Sequence, residues 1–173
     1  MMDKFDADLG DILARRHLHD AEKRNAAESR DAAAKAAAKA FNTAWAECKA
    51  IKIFPVLEQA LKKLKSEGFE AEISDGGGPQ GDSKFAITSP GLDARVGKKV
   101  EGIGVPVNSP YLTFQPRAVE GVIHIAQSLS GGSARGAGDL KIEELTPDTV
   151  KVKVIDFVRA VIEPPNSQGG MPV

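Results

Sequence analysis

The pattern of apolar and polar positions changes character near residue 68. Before it, apolar residues recur at helical spacing. Phe5, Leu9, Ile12 and Leu13 open one stripe, and Phe41, Trp45, Cys48 and Ile51 form a second. Phe54, Leu57, Ala60, Leu61 and Leu64 continue it in phase. No Gly or Pro falls between Asp11 and Phe54, and Ala, Lys, Arg and Glu dominate from Asp20 onward, all good helix formers. Pro55 punctuates the run. Proline costs about 3 kcal/mol inside a helix but little in its first turn. Two readings follow, a second helix starting at Pro55 or one long helix kinked there, and the continuous phase favours the kinked helix. Gly68 is its stop, with Lys62, Lys63 and Lys65 near the negative end of the dipole.

Beyond Gly68 the period falls to two. Phe69, Ala71 and Ile73 alternate with Glu70 and Glu72, as in a half-buried strand. A Gly-rich loop over residues 75–82 leads to a second strand through Phe85 and Ile87. Short strands are expected around residues 92–96 and, at an edge, through Val100, Ile103 and Val105. Residues 111–114 and 119–129 read as two more strands. A turn or loop over 131–138 precedes a last strand starting at Leu140 and Ile142. Thr146-Pro147-Asp148 has the order of a helix start: hydroxyl cap, proline, then an acid in the first turn. The alternation Val150, Val152, Val154 also fits a strand. The helical phase of Val150, Val154, Phe157, Val158 and Val161 decides for helix, ended at Glu163 by Pro164-Pro165.

The expected class is α+β: a long N-terminal helix, an antiparallel meander of four to six short strands, and a C-terminal helix packed on the sheet. The expected division is an extended charged, Ala-rich helical arm over 1–50, an α+β domain over 51–163 and a disordered tail over 164–173.

Composition sharpens the picture of the arm. Of the 24 Ala in 173 residues, 13 lie between Ala21 and Ala50, and aromatics are only 5%. Ala methyls bury little area, so residues 32–40 offer helix propensity without a large apolar face. That stretch is either a solvent-exposed rod or a close-packed seam between helices. A conventional coiled coil lacks its large seam residues here. A helix of about 45 residues is about 65 Å long, more than a domain of this size covers. A second copy of the chain is therefore the expected partner, as a homo-dimer, with Ala33, Ala37, Phe41 and Trp45 as contact residues; another protein partner would fit the same surface.

Charge removes other classes. The formal net charge is −1, which argues against binding nucleic acid by bulk electrostatics and against a polybasic membrane surface. No apolar run approaches the length of a spanning helix. The first ten residues carry Asp3, Asp6 and Asp8 rather than the order of a signal peptide. A cytoplasmic location is expected. Cys48 is the only cysteine, which excludes an intramolecular disulfide and reads as a small buried hydrophobe.

Candidate chemistry is sparse. The loop at 76–84 resembles a phosphate loop only superficially: Asp82 stands where the lysine belongs, and a strand follows instead of a helix. The second Gly-rich stretch holds Arg135, a weak anion-binding candidate. His17 and His19 are two apart and point to different sides of a helix, so no metal site and no cofactor is expected. His124 lies on the strand face opposite Ile123 and Ile125. Glu120 and Asp139 are candidate carboxylate partners, although no spacing brings them together. Arg15, Arg16, Lys23, Arg24 and Arg30 lean basic but are interleaved with Asp20, Glu22, Glu28 and Asp31. The leading expectation is a non-enzymatic interaction or scaffolding module that self-associates through the N-terminal helix. The alternatives are a nucleic-acid-associated protein using that basic stretch, with Arg15, Arg16 and Arg24 as contacts, and a hydrolase or transferase centred on His124.

Overall fold

A computed structural model of the chain describes residues 4–87, 109–129 and 134–163. The strands expected at 92–96 and 100–105 and the tail at 164–173 lie outside the described residues. The chain forms two compact units, 1–40 and 41–173. Residues 41–50, which the sequence pattern assigns to the arm, belong with the second unit.

Helix α1 spans Lys4–Cys48, a π-helical turn follows over Lys49–Ile53, and α2 runs Phe54–Ser66. The backbone is thus helical without a break through Pro55. Proline lacks an N–H, and its ring crowds the carbonyl four residues earlier, here Ile51. The wider turn falls on that site, and the Phe54 N–H bonds back to the Lys49 carbonyl. This is the single continuous segment that the sequence favours over a second helix starting at Pro55. The expected stripe is corrected. Steps of three residues advance about 300° around a helix, so a Trp45–Cys48–Ile51–Phe54 series walks off its face. Ile51 is 63% exposed, while Lys49 and Ile53 turn inward. Gly68 (φ +86°) ends α2 in a Schellman arrangement. The Phe69 N–H bonds to the Leu64 carbonyl and the Gly68 N–H to that of Lys65.

Five strands follow: β1 (Ala71–Gly76), β2 (Asp82–Ile87), β3 (Tyr111–Arg117), β4 (Val122–Ser128) and β5 (Arg135–Leu140). They form one antiparallel sheet in the order β1-β2-β3-β4-β5, a meander as expected from the sequence. β5 is a correction: the strand occupies the stretch read as a Gly-rich loop, and residues 142–144 form a 3₁₀ turn instead of a strand. With Gly at 136 and 138 and no β-branched side chain, β5 carries almost no local strand signal. It is held by pairing with β4, with a bulge where Ile125 faces Gly138 and Ala126 faces Gly136.

Helix α3 spans Pro147–Ile162. The Thr146 side chain accepts a hydrogen bond from the Thr149 N–H, as its sequence predicts. Leu145 and Val150, both fully buried, occupy the positions of a hydrophobic staple around that cap. Val150, Val154, Phe157 and Val161 form the buried stripe. They share one core with Phe85, Leu112, Phe114, Ile123 and Ile125 of the sheet and with Trp45, Ile53 and Leu57 of the helical segment. Among the described residues, every member of this core lies at Phe41 or beyond.

Candidate functional site

Three places in the second unit, and one in the first, gather chemistry. The most tightly built surrounds Lys49. Its side chain is 2% exposed. Its ammonium lies 2.6 Å from Asp75 Oδ1, 2.7 Å from the Gly78 carbonyl and 3.2 Å from the Gly81 carbonyl. Trp45 Nε1 donates to the same Gly81 carbonyl at 3.1 Å. The rings of Trp45 and Phe54 stand 5.9 and 5.7 Å from the ammonium. The β1–β2 loop therefore aims carbonyl oxygens inward. A phosphate cradle aims amides inward, so the polarity is the reverse of that required to hold an anion. The cage is filled by the chain's own cation. Glycine is obligatory at 81, where a Cβ would meet the Gly76 carbonyl oxygen at 2.0 Å. Sequence reasoning missed Lys49, because an isolated lysine between apolar helical positions reads as solvent-facing.

The second place is the sheet face opposite the core. His124 Nδ1 lies 2.5 Å from Asp139 Oδ1, a cross-strand pair set by the register His124↔Asp139. The two candidate partners thus meet, though nothing in their spacing showed it. Gln115 faces His124 from β3. Glu120, the other candidate carboxylate, is engaged with Arg117. A His–carboxylate pair orients an imidazole, but acyl-transfer chemistry also needs a nucleophile beside it. The residues directly opposite His124, Gln115 and Asp139, supply none. Among the described residues, no three His, Cys, Asp or Glu side chains gather as a metal-ligand set.

The third place is a groove of ≈ 340 Å³ between α2 and α3. Its floor and walls are Ala60, Leu64, Val154, Ile155, Val158 and Ile162, and its polar lining is Lys63, Arg159 and Glu163. Ile155 is 53% exposed. Lys63 is hydrogen-bonded to Glu67 on the surface, and that contact holds the Glu67 carboxyl below its ordinary range. Arg159 stands 3.9 Å from Asp156.

The fourth is the arm itself. Residues 4–19 are all exposed, including Phe5 at 70%, Ile12 at 61% and Leu18 at 65%. Arg15 and Arg24 are exposed and Arg16 pairs with Asp20 at 3.2 Å. Arg135 is exposed at the start of β5. Acids alternate with the arginines along the arm. Ala33 and Ala37 are exposed and Phe41 is half-buried against the core. Trp45 is the correction among the expected contact residues: it is fully buried in its own chain and spends its indole N–H on Gly81. Cys48 is buried as expected. Burial pushes its thiol above the ordinary value of 9.0, offset in part by Lys52.

No family model, curated protein or solved structure matches the chain. Among the described residues, no helix is long and apolar enough to cross a membrane.

Proposed function

We propose that the chain is a non-enzymatic interaction module that self-associates through its N-terminal helix. The observation that carries this reading is the exposure of Phe5, Leu9, Ile12 and Leu13 on one face of α1. Residues at i, i+4, i+7 and i+8 make a continuous apolar stripe. Full burial of such a side chain is worth about 1.5–3 kcal/mol. Among the described residues these four side chains stay exposed, and a second copy of the chain is the partner surface we assign to cover them. The Ala-rich stretch that follows keeps the segment helical through propensity rather than through packing.

Size-exclusion chromatography with light scattering tests the reading. The full chain is expected above monomer mass at tens of micromolar, and a chain lacking residues 1–40 is expected at monomer mass. A full chain that runs as a monomer over that range ends the proposal.

A further inference from the structure

We infer that two copies of α1 pair antiparallel, with the large apolar residues near the start of each seated on the alanines near the end of the other. The inference rests on the self-association proposed above and names its orientation and register.

Alternate steps of four and three residues from Phe5 trace one unbroken heptad seam along α1 to Ala44. Such a repeat stays in line over many turns through a left-handed supercoil. The seam opens with Phe5, Leu9 and Ile12, all exposed. It closes with Ala33, Ala37 and Ala40, also exposed, and Ala44. Between these ends lie Arg16, His19, Lys23, Ala26 and Arg30. None of the seven acids from Asp6 to Asp31 falls on the seam. One end of a single helix thus carries large side chains with nothing to cover them. The other end carries small ones with nothing to fill the space beside them. A second copy supplies each end with what it lacks.

The basic residues decide the orientation. Parallel copies in register set every seam residue on its own counterpart. Arg16, His19, Lys23 and Arg30 then make four like-charge layers, which are unfavourable. The alanine layers meet small against small and fill little volume. Antiparallel copies set each a position against a d position instead. With Leu9 on Ala40, Phe5 falls on Ala44, Ile12 on Ala37, Arg16 on Ala33 and Lys23 on Ala26. Leu13, at the edge of the seam, meets Ala34. Each of these layers sets a large side chain on a methyl, so the helices approach closely without voids. His19 against Arg30 is the one basic layer that remains. Arg16 enters its layer already paired with Asp20 at 3.2 Å, and its stem can lie along Ala33 with the head in water.

The same pattern fixes the register. A slip of one heptad in one direction sets Ile12 on Arg30, and in the other sets Leu9 against Glu47. Of these three alignments, one seats all three apolar anchors on alanine. The contact is isologous, so it closes as a dimer.

Single cysteines read the orientation directly. Arg16→Cys and Ala33→Cys chains are prepared separately; both positions are exposed, and far-UV circular dichroism checks that each variant keeps its helix. The native Cys48 is buried and is left in place. Each variant alone, and an equimolar mixture, is equilibrated in a glutathione redox buffer at tens of micromolar. The mixture is expected to yield about tenfold or more disulfide-linked dimer than either variant alone, because only there are two thiols held together. An Arg16→Cys chain that cross-links with itself as well as the mixture does overturns the antiparallel orientation. A mixture with no excess over the single variants overturns the register. In either case a parent chain above monomer mass by light scattering leaves self-association through the arm standing. A parent chain that is itself monomeric overturns both this inference and the reading beneath it.

Discussion

Taking the Lys49 ammonium out of water costs several kcal/mol, and the surrounding oxygens must return that cost. They do so through a carboxylate, two backbone carbonyls and two aromatic faces, all drawn to one point. The arrangement ties the β1–β2 loop to the helical segment and gives the Gly-rich loop a structural reason to exist. Lys49→Met retains the stem and removes the charge, so the loop carbonyls lose a charged donor. We expect a loss of about 2–4 kcal/mol in urea unfolding, from the usual worth of charge-assisted bonds. A loss below about 0.5 kcal/mol would mean that the cage is incidental. Cys48, the neighbouring residue, makes a second residue-scale prediction. Its thiol is raised by burial, so the folded state favours the protonated form. The associated stability is present below the unfolded pKa near 9 and is lost as pH rises through the folded value. At pH 8 the folded chain should therefore react with a thiol reagent far more slowly than the unfolded chain. Equal rates in and out of urea would contradict the burial.

Helix ends show how much of an element is written locally. The Thr146 cap, Pro147 in the first turn and the Leu145–Val150 staple all lie within six residues of one another, and α3 starts where they place it. Thr146→Ala is expected to cost about 1 kcal/mol, read from the unfolding midpoint. Gly68 stops α2 by the same kind of local signal. Elements that depend on a distant partner behave differently. β5 has the composition of a loop and becomes a strand only because β4 offers an unpaired edge. The π turn at Lys49–Ile53 is intermediate. Pro55 announces a disturbance, but whether the helix kinks, breaks or widens is decided by which side chains must reach the core. Here Lys49 and Ile53 reach it and Ile51 does not.

At the scale of the whole molecule, the core is built from residues 41 onward. Deleting residues 1–40 should accordingly abolish association while moving the thermal midpoint by less than about 4 °C, the shift expected for roughly 1 kcal/mol. A large drop would mean that the arm contributes to folding rather than to association. The same division explains the low aromatic content. The few large apolar residues are concentrated where they pack, at Trp45, Phe85, Phe114 and Phe157, with Phe85 and Phe157 meeting edge to face at 6.3 Å. The arm needs few because its helix rests on alanine.

Sequence alone determined the class α+β, the long helical character of the N-terminal segment, the strands with alternating apolar residues and the start of α3. Each rests on a period or a cap contained in a few neighbouring residues, where local sterics and hydrogen bonding suffice. Tertiary structure alone decided that Lys49 is buried, that His124 meets Asp139 across two strands, that Arg135 begins a strand, and that Trp45 faces inward. These outcomes depend on segments far apart in sequence coming side by side, and no spacing along the chain carries that information.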